Sequence, residues 1–420
     1  MARRWLIIVC LVILTTGCGK FNVISDPDKV EVLQGKEEHI IEFWHTYSDE
    51  ETRLLEKDLV PEFERQHPGI RVKAVRQTNN EELKNTLIAR ASSMKGPDAV
   101  RMDIVWVPEF SHKGLLVPLN QFPEFEAIRN RLRHDVMDIG LYQGQYFSLP
   151  MNINTKIAIY NRDLIKKAGL SGPPQTLEDT FEFARKNQYT IGIGGLETWS
   201  TLPYIYGLGG ALTDEQYTKA TGYLNGPGTV SAVERLLSLF KEGTIVSSML
   251  KGGGDNWEGV KGGNVFMTDD GPWFYSVFSG QDLGNAIHST FRIPMPHDSG
   301  PASIIGGENL VIMKGSKQPE DAWVFVKWLT GIEAQLVMSK TGLIPTNVDA
   351  FKALTFKEDS YIGPYVEALN HAFVRPPVKN WTKIDEVYTR HMRKIFQGDI
   401  SVKEGLTRAA SEIDALLKDR

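Results

Sequence analysis

The chain has 420 residues, 41% of them hydrophobic and 24% charged, with a formal net charge of -5. This is the make-up of a soluble globular protein too long for one hydrophobic core, so two domains are expected. The mildly acidic balance excludes a nucleic-acid footprint, which needs a clustered basic surface. No low-complexity stretch or internal repeat is evident.

The first residues read as an export signal. Arg3 and Arg4 precede an apolar run from Trp5 to Leu14, which is too short to span a bilayer core. Thr15-Thr16-Gly17 then leads into Cys18, small residues that resemble a lipobox, with Thr15 where leucine is usual. Residues 1–18 are thus expected to form a signal peptide with Cys18 as its lipidated end. Residues 19–38, polar and without period, would be a tether. Cys10, the other cysteine, would leave with the signal, so no disulfide or thiol chemistry is expected in the mature fold. A plain signal peptide with an incidental cysteine is the alternative.

From residue 39 short apolar strands alternate with amphipathic helices, an α/β pattern. His39–His45 reads as a strand. Ser48-Asp49 can cap a helix carrying Leu54, Leu55, Leu59 and Phe63 at helical spacing. Gly69–Val75 is a second strand and Glu81–Ser93 a second helix. Gly96-Pro97-Asp98 turns the chain into a strand over Ala99–Trp106. Strands and helices in this order imply right-handed crossovers and a mostly parallel sheet. Tyr142–Pro150 looks like a hairpin-like return, Lys156–Tyr160 a strand, and Leu164 to about Gly243 a helical, turn-rich region. Gly263–Thr268 and Asn309–Met313 are further strands. Trp323–Leu329 with Ala334–Ser339 reads as apolar helix, and Thr382–Leu417 as one amphipathic helix.

Several segments in this order resemble family 1 extracellular solute-binding proteins, the group containing maltose- and oligosaccharide-binding proteins. The resemblance is carried by Phe43-Trp44-His45, by Gly96-Pro97-Asp98 followed by Asp103, Trp106, Glu109 and Phe110, and by Gly114-Leu115-Leu116-Val117-Pro118-Leu119. It continues in Tyr142 to Pro150, Tyr160-Asn161-Arg162-Asp163-Leu164, Met267 to Gly271-Pro272-Trp273, and Gly306-Gly307-Glu308-Asn309-Leu310. It implies a two-lobed periplasmic-binding-protein-like fold of type II, each lobe a mostly parallel sheet flanked by helices, joined by a hinge. Residues 39–150 with about 305–350 would form the N-lobe, and about 151–304 with about 351–420 the C-lobe. It also implies an ABC importer: permease subunits and a cytoplasmic ATPase as partners, a sugar as ligand, no cofactor, and a monomer held to the outer face of the membrane by its lipid.

Sugar recognition needs aromatic faces for pyranose C–H patches and polar side chains for hydroxyls. Trp273 follows Asp270-Gly271-Pro272 at a strand end, where α/β ligands bind, and the resemblance makes it a stacking platform. Asp270 beside it could accept hydroxyl hydrogens or cap the turn. Asp103 and Trp106 both reach a cleft only if the strand ends between them, as it does in the family. Of the neighbours Trp44 and His45, His45 is the cleft candidate and Trp44 the core residue. Asn152 and Asn154 suit hydroxyls where the chain crosses between lobes. Glu308 follows Gly306 and Gly307, whose missing side chains would let a ligand approach. Trp199 and Trp381 are loop aromatics that could serve as second platforms.

No nucleophile elbow, P-loop, dinucleotide fingerprint or zinc-protease motif is present, and the nine histidines show no metal-ligand spacing. No metal is expected. A glycoside hydrolase using two of Asp103, Asp270 and Glu308 is the enzymatic alternative, and a sugar-sensing surface receptor is a third reading. No cationic cluster of the kind a phosphate ester favours is visible.

Overall fold

The computed structural model describes residues 38–252, 254–355 and 360–418. The signal, Cys18 and nearly all of the tether lie outside these residues. No helix among the described residues is long and apolar enough to cross a membrane.

The first sheet has seven strands: β1 (His39–His45), β2 (Ile70–Arg76), β3 (Ala99–Asp103), β6 (Leu149–Asn154), β11 (Ser303–Ile312), β12 (Ile344–Pro345) and β13 (Ala372–Val374). Their order is β12-β6-β11-β3-β1-β2, with β13 added on β11. The second sheet runs β10-β7-β9-β8, built from β7 (Ile157–Asn161), β8 (Ile191–Gly192), β9 (Met267–Asp270) and β10 (Thr290–Pro294). A small hairpin joins β4 (Leu141–Tyr142) to β5 (Gln145–Tyr146). Both large sheets are mixed rather than mostly parallel. The βα units at the start pair β2 and β3 parallel to β1, but β11 returns antiparallel to both β3 and β6. That return is a chain crossing rather than a helix crossover, so the handedness argument does not reach it.

Alternation in β1 and β3 explains the two layers against the first sheet. Ile41, Phe43 and Ala99 face one core with Phe63, Trp323 and Phe325. Trp44, Val100 and Met102 face the other with Leu83, Leu87 and Phe110, as a period of two requires. The first helix, α1 (Asp49–Leu54), starts where expected. Ser48 accepts from the Glu51 amide, and the Glu51 carboxylate accepts from the Ser48 amide, a capping box. A π-turn at Leu55–Leu59 leads into α2 (Val60–Gln66). α3 (Glu81–Ser92) is capped by Asn80, and α4 (Val107–His112) follows the end of β3.

Against the second sheet lie α5 (Thr198–Gly207) and the short α6 (Trp273–Ser276), bonded to β9 and β10 through Tyr204 and Tyr275. Two C-terminal helices, α7 (Trp381–Gln397) and α8 (Val402–Lys418), pack on each other and share the same core. The expected single terminal helix is broken because Gly398 takes a left-handed conformation (φ 84°), a helix stop open to glycine. In α7, Ile384, Tyr388, Met392 and Ile395 recur at helical spacing and pack with Tyr160, Phe181 and Phe266. Fully burying each such side chain contributes roughly 1.5–3 kcal/mol.

Candidate functional site

Three local events aim side chains at one groove. Strand β3 stops at Asp103, whose carboxylate accepts from the Val105 amide at 3.0 Å and caps a 3-10 turn over Ile104–Trp106. The turn leaves Asp103 on the groove and swings Trp106 into the core beside Leu83, Val107 and Phe110. Trp106 therefore departs from its expected cleft position. At the end of β9, Gly271 and Pro272 start α6, and the Trp273 indole folds back over Gly271. A Cβ on Gly271 would lie 2.3 Å from the indole, so that position has to be glycine. In β11, a Cβ on Gly306 would lie 2.9 Å from the Trp199 indole, and one on Gly307 would lie 2.3 Å from the Asn152 carbonyl oxygen. Gly307 also has φ 144°, open to glycine alone at little cost. The glycine pair makes room for a tryptophan and a neighbouring strand, where close approach of a ligand was expected.

The groove has two continuous parts. One, of about 480 Å³, includes Tyr47, Arg76, Arg101, Asn154, Trp273 and Glu308. The other, of about 420 Å³, includes Asp103, Asn154, Trp199, Trp273, Gly307, Glu308 and Arg375. The structure thus brings Trp273, Trp199, Asp103, Asn154, Glu308 and Gly307 together from five segments of the chain. The Trp199 and Trp273 rings lie 6.1 Å apart at 31°, too close for a sugar ring between them. They form one bent aromatic wall. Trp199 sits on α5, whose first turn is tied down by Asp385 through the Thr198 amide (2.9 Å) and hydroxyl (2.6 Å). Behind it, buried Lys156 pairs with Asp269, which also accepts from the Tyr204 hydroxyl at 2.7 Å.

Four other candidates lie elsewhere. His45 has no exposed surface and is packed between the rings of Phe43 and Tyr47. Burial, with Arg101 and Arg76 adding to it, lowers its pKa to about 3; it is a neutral core imidazole. Asp270 accepts from the Trp257 indole N–H at 2.5 Å and from the Gly271 amide at 2.8 Å, so its carboxylate anchors the turn that starts α6. Trp381 is the first residue of α7 and lies in the core with Ile384 and Leu406. Asn152 is buried one step behind the groove, donating to Glu308 at 2.7 Å and accepting from Arg101 at 3.0 Å. It holds the lining in place.

The arginines were not foreseen. Arg76, Arg101 and Arg375 converge on the groove from β2, β3 and the residue after β13, against the expectation of no cationic cluster. Arg101 is only 3% exposed and meets Glu308 at 2.7 Å, Thr46 at 2.8 Å and the Tyr47 ring at 4.1 Å. Burial opposes its charge, but Glu308, Tyr47, Glu51 and Asp103 outweigh that and hold the guanidinium above its usual value. An arginine inside the apolar run Ala99-Val100-Arg101-Met102 was the one sequence signal available, since buried charges need partners. Among the described residues no group of three or more His, Cys, Asp or Glu could hold a metal ion.

Comparison with known proteins places this geometry in a family. The family model described as bacterial extracellular solute-binding protein matches residues 58–363, well over half of the chain. The chain belongs to the bacterial extracellular solute-binding proteins. Among curated members, a binding protein of Brucella abortus is 22% identical over 325 residues, covering 74% of this chain and 78% of its own length. A maltooligosaccharide ABC transporter solute-binding lipoprotein of Streptococcus pneumoniae is 25% identical, covering 66% of each chain. Among solved structures, the GacH receptor of Streptomyces glaucescens superposes with a TM-score of 0.79 at 24% identity, covering 91% of this chain and 99% of that one. The likeness identifies the fold as the two-lobed type II periplasmic-binding-protein-like fold of these solute-binding proteins. In such a solute-binding protein the wall residues should control ligand contact directly. Gly271→Ala is expected to displace the Trp273 indole, change tryptophan emission and weaken ligand binding at least tenfold by calorimetry.

Proposed function

We propose that the protein captures a sugar, most simply an oligosaccharide, in this groove and hands it to the permease subunits of an ABC importer. The observation that carries the reading is the aromatic wall of Trp199 and Trp273 facing Asp103, Asn154, Glu308 and Arg375. In such a wall Trp273 covers the apolar face of a sugar while the polar groups pair with hydroxyls. The relatives and neighbours support it, since the pneumococcal relative is named for maltooligosaccharide and the GacH receptor was solved with acarbose. The lobes we assign are residues 39–150 with about 305–350, and about 151–304 with about 351–420. Closure of the two on the sugar gives the form that the permease reads.

The cycle is binding without chemistry. Glu308 pairs with Arg101 and Asn152 as a fixed part of the lining, and the relatives are named as binding proteins, which supports this reading over a glycosidase. Lipidation at Cys18 would hold the protein, a monomer in this reading, on the outer face of the membrane; the lipoprotein name of the pneumococcal relative supports the anchor. The test is a thermal-shift screen of the purified protein against mono- and oligosaccharides. A cognate sugar at a hundredfold excess over Kd should stabilise the fold by about 2.7 kcal/mol and be recovered intact after long incubation. A screen in which no sugar shifts the melt, or in which a sugar is cleaved, overturns the reading.

A further inference from the structure

Arg375 is held in an unusual state. It follows β13 and precedes Pro376-Pro377, and its side chain is only 10% exposed. Its Nε is buried without a partner. Among the described residues the guanidinium makes no hydrogen bond: its nearest carboxylate, Asp103, lies 3.9 Å away, and the facing oxygen already accepts from Val105. The other buried guanidinium of the groove, on Arg101, is engaged by Thr46, Asn152 and Glu308. A donor such as this Nε, shut away from water and left without an acceptor, costs stability, while the rest of the fork borders the groove. Burial lowers the Arg375 pKa, and the nearby carboxylates do not offset it.

The Trp199 indole lies beneath this cation, 5.1 Å from ring centroid to guanidinium carbon, with Lys156 5.7 Å from the same ring. A ring taken up by cations is a poor stacking face for a sugar. Asp103 supplies a countercharge close by, with Asp385 and Glu308 adding to it, so a ligand carboxylate would meet like charges.

We propose that Arg375 is the specificity-determining residue of the groove, donating its planar fork to two adjacent hydroxyl oxygens of a neutral sugar. Asp103 accepts from one of those hydroxyls, Trp199 supports the guanidinium, and Trp273 alone stacks on the sugar ring. A planar fork suits adjacent acceptors in a way that a lysine point charge does not. The proposal rests on the sugar reading above and narrows it to neutral saccharides.

The test titrates wild type, Arg375→Met and Arg375→Lys with glucose, maltose, maltotriose, lactose, raffinose and glucuronate by calorimetry, with thermal melts of each sugar-free protein. Wild type should bind at least one neutral sugar and prefer it to glucuronate. Arg375→Met should lose about a hundredfold in affinity and Arg375→Lys about tenfold, from the loss of charged hydrogen bonds. Sugar-free Arg375→Met should melt no lower than wild type, because a hydrocarbon replaces an ill-paired buried charge. Affinity within threefold of wild type in Arg375→Lys, or melts lowered in both variants, overturns the proposal and leaves the sugar reading standing. A preference for glucuronate overturns neutrality. No binding of any panel sugar by wild type sinks the sugar reading, and the proposal with it.

Discussion

Glu308→Ala should lower the free energy of unfolding by about 3–5 kcal/mol, the usual cost of removing one partner from a buried ion pair. Arg101, 3% exposed, would keep only Thr46 and Asn152 as hydrogen-bond partners. Asn152 would in turn lose the acceptor for its amide. The loss is therefore larger than the value of one contact, since two buried donors are left short. Urea denaturation followed by tryptophan emission measures it. The double variant Arg101→Met/Glu308→Leu should recover most of the deficit, because it removes the buried charge altogether. A single-variant loss below 1 kcal/mol would mean that water reaches Arg101 freely.

A second large effect is tied to pH. His45 has a folded pKa of about 3, driven down first by burial and then by Arg101 and Arg76, against an ordinary value near 6.5. Between these values the unfolded chain binds a proton that the native state refuses. Stability is therefore complete above pH 6.5 and falls as pH drops towards 3, by about 1.4 kcal/mol per unit. By pH 4.5 the deficit is roughly 2–3 kcal/mol. Other groups titrate in the same range, so the quantity to measure is the difference between wild type and His45→Gln in denaturant melts from pH 7.5 to 4.5. The variant should show the shallower slope, and parallel curves would place a proton on His45 in the native state.

The readable parts of the sequence are those decided locally. His39–His45 forms a strand over the expected residues, Ser48 is the helix cap, and Gly271-Pro272 places Trp273 on the groove, because strand alternation, capping and glycine geometry act within a few residues. The failures sit where direction depends on a single turn or a distant partner. Asp103 and Trp106 part company because the strand ends in a 3-10 turn. His45 points into the core because Phe43 and Tyr47 close around it. Trp381 opens a helix where a loop is expected, and its ring joins the core with Ile384 and Leu406. Arg101 and Arg375 could not be paired with the groove from spacing, since 274 positions separate them and only the β11 crossing brings them near each other. The same crossing adds six residues ahead of the strand expected at Asn309: the first half of β11, Ser303–Glu308, carries glycines and polar residues that do not resemble a strand.

The placement of β11 also bears on how the protein is made. The strand lies between β3 and β6, yet it is translated only after β6 has ended at Asn154 and about 160 further residues have been added up to Ile312. At ordinary synthesis rates that gap lasts roughly ten to thirty seconds. Throughout it, β3 and β6 each expose an open edge able to pair wrongly with other chains. The first sheet therefore cannot close until Ile312 has been made, and over that interval its open edges must be kept apart from other copies of the chain.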